Sequence, residues 1–181
     1  MKILDGKAAA AQVLVGVAER AKALADRGTK PGLATVLVGE DPASHVYVGQ
    51  KIKKCEAAGM ASLHVPLPAT ITQEALLAEV HRLNRDPRVH GIIVQLPLPK
   101  HLNAEAVLLA LDPAKDADGL HPANQGRWMQ LKSWKDVLAS GVALPCTPAG
   151  VMELLRQNDV PIAWRRAVVV GRSSLVGKPL A

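Results

Sequence analysis

Runs of apolar residues along this chain alternate with helical patterns in a regular order, and that order predicts its elements. "GKAAAAQVLVGVAERAKALADR" reads as a helix, with Asp5 ahead of it as a cap and Gly28 behind it as a left-handed stop. "LATVLVG" is apolar almost throughout and predicts a strand. Ser44 is placed to cap a second helix, "HVYVGQKIKKCEAA", closed by Gly59 and followed by the short strand "SLHVPL". A third helix over "QEALLAEVHRLNRD" leads into the strand "VHGIIVQLPL", and a fourth, "AEAVLLAL", follows a cap at Asn103. Strands and helices in strict succession predict an α/β fold with a mostly parallel sheet.

From Asp112 to about Pro145 the pattern loosens into a stretch rich in Asp, Pro, Gly and polar residues, which marks a boundary. Beyond it Thr147 is placed to cap a helix, "PAGVMELLRQN", with Pro148 in its first turn, and "RRAVVVG" predicts a further strand. The chain divides accordingly into residues 1–140 and a second α/β unit that begins at 141.

Composition narrows the function. Apolar residues make up 49% of the 181 positions but aromatic ones only 2%, with no Phe, so the core rests on Leu, Val, Ile and Ala and base-stacking platforms are disfavoured. A net charge of +6 invites nucleic acid, yet the basic residues are scattered among acids rather than gathered into a stripe, and an anionic small molecule is the better partner. The cysteines, Cys55 and Cys146, form neither a disulfide framework nor a CxxC pair. The amino-terminal residues lack a signal peptide's apolar core, and no stretch approaches the about 18 apolar residues of a membrane span, so a cytoplasmic protein is expected.

Candidate chemistry falls in a few places. Tyr47 and Lys51 lie four apart on the second helix, where a phenol and an amine beside a cleft could position a substrate and shuttle a proton; an exposed Lys beside a half-buried Tyr has the same spacing. Gln95 ends the apolar strand "GIIVQLPLP" ahead of two prolines that forbid further pairing, at the carboxyl edge where α/β sheets gather ligands. Asp116 and Asp118 in "KDADGLH" offer too few oxygens for a hard-metal loop, and the histidines show no metal-ligand spacing, so no metal is expected. Cys146 has no local His partner and reads as a small buried thiol. The loop "GRSSLVGKP" combines Gly171 and Gly177, the cation of Arg172 and hydroxyls after a strand, which suits a dinucleotide phosphate, although its spacing matches neither the G-x-G-x-x-G fingerprint nor a P-loop.

Taken together and in order, "VGEDPASHVYVGQKIKKCEAAGM", "LNRDPRVHGIIVQLPLP", "DPAKDADGLHPANQGR", "PCTPAGVMELL" and "VVVGRSSLVGKPLA" resemble the bifunctional methylenetetrahydrofolate dehydrogenase/methenyltetrahydrofolate cyclohydrolase family over nearly the whole sequence. The resemblance implies a folate-binding catalytic domain followed by the start of a Rossmann-type NAD(P)-binding domain. It implies that Lys51 is the catalytic lysine, that Tyr47 lines the folate cleft, that Gln95 hydrogen-bonds near the lysine and that Asp118 holds the pterin. Gly171, Arg172 and Ser173 are then cofactor contacts, and Thr147 and Gly177 are grouped with them. The resemblance further implies NADP as cofactor, with NAD left open, tetrahydrofolate derivatives in one-carbon metabolism serving purine biosynthesis as substrates, and a homodimer for the complete protein.

A nucleotide-binding half needs several βαβ units of ~30 residues. Here one helix, one strand and one loop follow position 145. The expectation is therefore of a sequence incomplete relative to that family, with "AVVV" exposing apolar surface and open backbone edges. Two competing readings accompany it: a non-catalytic folate- or partner-binding remnant, and an unrelated Rossmann dehydrogenase, which would leave "YVGQK" and "VQLPLP" as accidents.

Overall fold

Each of the first helices opens on a short polar side chain. The computed structural model describes residues 3–181. Helix α1, Gly6–Asp26, starts where the Asp5 carboxylate accepts from the N–H groups of Lys7 and Ala8 at 2.9 and 3.2 Å, and the chain turns away at Gly28 with φ +88°. Strand β1, Gly32–Val38, follows. Helix α2, Pro42–Ala57, is capped by Asp41, whose carboxylate accepts from Ser44 N–H at 2.8 Å. Ser44 was the expected cap; the helix begins two residues before it because proline's fixed φ suits the first turn and an aspartate precedes it. Strand β2 spans Ala61–Leu67, helix α3 Gln73–Arg85 under a Thr72 cap, strand β3 Gly91–Val94, and helix α4 Ala104–Ala110 under the Asn103 cap.

The three strands are parallel in the order β2-β1-β3. Central β1 pairs from Gly32↔Ala61 to Val38↔Leu67 on one side and from Leu33↔Gly91 to Val36↔Val94 on the other. Pro66, which has no N–H to give a ladder, sits in β2 at the sheet edge. Alternation sends Ala34, Val36 and Val38 to one face, where α3 contributes Leu76, Val80 and Leu83 and α4 contributes Val107 to the core. Thr35 and Leu37 are left for the opposite face, against which α2 packs. The fold class is as the sequence predicts: a parallel sheet with helices on it.

Differences begin where the pattern loosens. The strand expected over "VHGIIVQLPL" is reduced to Gly91–Val94; Gln95 N–H still donates to Val36 O at 2.9 Å, but the Leu96–Pro97 peptide is cis and the chain leaves the sheet. The stretch read as a boundary holds two short helices, α5 Pro122–Met129 and α6 Trp134–Ala139. Their signals are local: His121 caps a proline-led turn, and Ser133 bonds reciprocally with Asp136 as a capping pair. Helix α7, Cys146–Gln157, begins one residue before the expected Thr147 cap, has Pro145 in the cap position with no side-chain bond, and packs on α1. The expected strand over 167–170 is not formed, because a strand needs a hydrogen-bonded neighbour and none lies beside it among the described residues. Val168 and Val170 are almost fully exposed. A last short helix, α8, covers Gly177–Leu180.

Candidate active site

Three polar side chains meet past the carboxyl edge of the sheet, carried there by different elements. Lys51 projects from the middle of α2 and donates from Nζ to Gln95 Oε1 at 3.2 Å. Gln95 stands one residue beyond β3, and its own Nε2 donates to Leu96 O at 2.7 Å, which fixes the amide with its oxygen toward the lysine. Asp118 places Oδ2 4.0 Å from the same Nζ. The lysine and aspartate side chains are 33% and 25% exposed, so they are partly dried yet reachable. A pair this long and this wet contributes little to stability, and its value is chemical: a cation held between a neutral acceptor and a carboxylate with room for a third group.

Asp118 reaches this position through backbone bonds. Residues 115–117 run beside β3 as an isolated bridge, with Ile92 N–H donating to Lys115 O at 2.6 Å and Ala117 N–H to Ile92 O at 3.2 Å. Gly119 then turns at φ +66°, and a Cβ there would collide with the Leu144 carbonyl group and Pro145 N. Only glycine serves both the left-handed turn and the close approach. That approach brings the start of α7 against Asp118, so that the Cys146 thiol donates to Asp118 Oδ1 at 3.5 Å, sharing its proton with Ala117 O at 3.6 Å.

The cleft between these elements holds about 350 Å3 and is lined by Lys51, Gln95, Asp118, Cys146 and Thr147, with Leu175 and Val176 crossing from the far end of the chain. That volume is at the small end of ligand sites. Cys146 was expected to be a buried structural thiol; instead it opens onto this cleft. Crowding by the cleft walls, then the charge of Asp118 and the hydrogen bond to it, push the thiol up to about 11, with Lys51 pulling the other way. At neutral pH it is a protonated donor and a poor nucleophile.

The other expected site residues are distributed unevenly. Tyr47 shares α2 with Lys51 but is 60% exposed and stands outside the cleft lining. Gly171, Arg172 and Ser173 lie on an exposed loop that touches the cleft only through its later residues. Ser173 Oγ accepts from Val176 N–H at 3.1 Å and from Gly177 N–H at 3.4 Å, and Arg172 has no carboxylate partner among the described residues. Gly177 is buried, and a Cβ there would strike the Gly171 carbonyl, so the loop closes tightly upon itself. Among the described residues no three His, Cys, Asp or Glu side chains gather as metal ligands would. A separate groove of about 330 Å3 between Trp128, Trp134, Pro148 and Leu180 is apolar and lies away from the lysine.

What sequence reasoning missed is the buried anchor behind Asp118. Asp116, 3% exposed, accepts from Leu120 N–H at 3.2 Å, His121 N–H at 2.8 Å and Asn124 Nδ2 at 3.0 Å. The density of Asp, Asn and Gly in "KDADGLHPANQ" is the signal that could have found it.

Comparison with known proteins gives the chain a family. Residues 4–118 match the family described as tetrahydrofolate dehydrogenase/cyclohydrolase, catalytic domain, and residues 145–181 match its NAD(P)-binding domain. Bifunctional protein FolD 2 of Geobacter metallireducens is 52% identical over 179 residues, covering 99% of this chain and 60% of the relative. Bifunctional protein FolD of Anaeromyxobacter dehalogenans is 52% identical over 181 residues, 100% of this chain and 62% of the relative. Among solved structures, the bifunctional FolD methylenetetrahydrofolate dehydrogenase/cyclohydrolase of Campylobacter jejuni superposes with a TM-score of 0.92 at 42% identity over 100% of this chain and 62% of that one. The Trypanosoma brucei dehydrogenase-cyclohydrolase, complexed with NADP cofactor and inhibitor, gives 0.90 at 40% identity over 99% of this chain and 59% of that one. The chain spans about three fifths of the length of the curated relatives it matches.

Proposed function

From a chain that belongs to the tetrahydrofolate dehydrogenase/cyclohydrolase family, we propose a complete protein that oxidises 5,10-methylenetetrahydrofolate with NADP and hydrolyses the resulting 5,10-methenyltetrahydrofolate to 10-formyltetrahydrofolate. The observation that carries this reading is the convergence of Lys51, Gln95 and Asp118 on one cleft at the carboxyl edge of a parallel sheet. The division falls between a folate-binding domain, 1–140, and an NADP-binding domain beginning at 141; the two family matches lie on either side of it.

In this scheme Asp118 accepts the hydrogen-bond donors of the pterin, and Tyr47 borders the bound folate from the exposed turn before Lys51. Hydrolysis adds water to the methenyl carbon, releases one proton, and moves another from oxygen to the ring nitrogen as the carbon–nitrogen bond breaks. Lys51 is the group placed to relay these protons, with Gln95 orienting its ammonium or amine through the 3.2 Å hydrogen bond. For the cofactor, the Arg172 guanidinium, with no carboxylate partner among the described residues, and the Ser173 hydroxyl on the tight Gly171–Gly177 loop are the chemistry that a phosphate needs, with Thr147 at the cleft wall. Bound there, NADP supplies the hydride acceptor, and NAD remains the other candidate. The scheme places the complete protein in the cytoplasm as a homodimer, supplying formyl groups for purine biosynthesis; no helix among the described residues is long and apolar enough to cross a membrane.

The decisive test is Lys51→Ala in the complete protein. Loss of at least about a hundredfold in methenyltetrahydrofolate hydrolysis is expected for removal of a positioned proton relay. Hydrolysis at the parent rate would remove Lys51 from the mechanism.

A further inference from the structure

Asp116 is a carboxylate buried to 3% exposure with no cation paired to it among the described residues. A buried charge of this kind is costly unless hydrogen bonds replace its water, and here they do so unevenly along the chain. Oδ1 accepts from Leu120 N–H and Oδ2 from His121 N–H, so both oxygens bind the backbone four and five residues ahead. The carboxylate thereby ties a loop into a ring, and Asp118 is carried on that ring. Asn124 joins from α5, itself 2% exposed, with Nδ2 shared between Asp116 Oδ2 at 3.0 Å and Pro113 O at 2.8 Å. On the other side the ring is fastened to β3 through Ala117 N–H and pressed against Leu144 at Gly119.

We propose that Asp116 is a positioning residue: its buried carboxylate, braced by Asn124, closes the 116–121 ring and so holds the Asp118 carboxylate beside Lys51 and Cys146. It touches neither substrate nor cofactor and acts through Asp118. The proposal rests on the reading above only in treating Asp118 as a site residue.

Cys146 provides a reporter that needs no turnover. Its sulfur lies 3.5 Å from Asp118 Oδ1, and the titratable groups facing it are Asp118, Lys51 and Asp116. Cys55, buried at 6% exposure, reports on unfolding instead. In Asp116→Asn one oxygen becomes an NH2, which faces the donor N–H of Leu120 or of His121 whichever way the amide turns. The ring opens and Asp118 moves off the thiol.

The experiment is iodoacetamide labelling of the complete protein from pH 7 to 11, read peptide by peptide at Cys146 and Cys55. Asn124→Ala, which removes the brace without changing any charge, should lower the pH midpoint of Cys146 labelling and raise its rate at pH 8 with Cys55 still protected; Asp116→Asn should give the larger change, about threefold to tenfold at pH 8, part of it from losing a charge that itself faces the thiol. Asp118→Asn supplies the scale for the full effect. An unchanged Cys146 profile in Asn124→Ala overturns the proposal. So does a uniform rise at every pH with the midpoint unmoved, which is loosening without displacement. If Asp116→Asn unfolds and both thiols label, Asn124→Ala decides: a smaller downward shift supports the bracing role and an unmoved midpoint refutes it. A shifted thiol titration in a protein that turns over no folate would leave this inference standing and fail the proposed activity.

Discussion

The two ends of the chain use similar apolar sequences to opposite effect. In "LATVLV" Ala34 and Val36 are completely buried, whereas in "AVVV" Val168 and Val170 are 89% and 97% exposed. Local propensity is not the difference, since valine-rich runs suit strands in both places. The difference is company: β1 lies between β2 and β3 with helices on it, and residues 167–170 have no strand beside them among the described residues. A strand is a property of a pair, and a core is a property of layers.

The largest effect should therefore come from the core of the first region. Leu83→Ala empties a site with no solvent exposure in α3 and should cost about 2–5 kcal/mol, while Val168→Ala in the same chain should change stability by less than about 0.5 kcal/mol. Urea unfolding of the two variants measures both. A large loss for Val168→Ala would mean that the segment is packed in solution and would end the contrast.

Next in size is Gly119→Ala, at the junction of the two regions. The φ of +66° and the collision of a Cβ with the Leu144 carbonyl leave no room for adjustment without moving the backbone that carries Asp118. A loss of about 1–3 kcal/mol is expected, together with weaker binding of the proposed folate substrate. Gly28→Ala is the control, since it removes a left-handed glycine with open space around it and should cost only about 1 kcal/mol without touching binding. Equal effects on binding would show that the junction is not special.

This contrast also explains what could be read from the sequence. The elements of the first region followed from periodicity and caps, because Asp5 and Asn103 act within a few residues of themselves. Lys51 and Gln95 drew attention for the same reason, one by its helix face and the other by the prolines after it. Their 3.2 Å contact joins residues 44 apart in the chain, so local pattern could not give it, and the expectation of a Gln95 hydrogen bond near the lysine came from the family resemblance alone. Cys146 was misjudged as buried since its surroundings are set by Asp118, 28 residues away. The strand over 167–170 failed as a prediction because periodicity says what a segment could pair with and nothing about whether a partner is present.

The smallest predicted effect asks to which region α7 belongs. Glu153 on that helix accepts two hydrogen bonds from Arg156, at 2.8 and 2.6 Å, and one from the Gln157 amide at 2.7 Å. These bonds, the Arg156 ones first, hold its carboxyl below the ordinary 4.5, at about 2. A carboxyl depressed in the folded state stabilises the fold above its unfolded value, and that contribution fades as pH falls from about 4.5 towards 2. The side chains are 30% and 61% exposed, so water screens the pair and only about 0.3–0.5 kcal/mol is expected. Glu153→Gln should lower the urea midpoint slightly at pH 7, and the difference from the parent should shrink on acidification through that window. This holds only if α7, which packs on α1, unfolds together with the sheet. If the variant alters helix content at pH 7 without moving the transition of the β-sheet core, α7 melts separately and belongs with the exposed end of the chain.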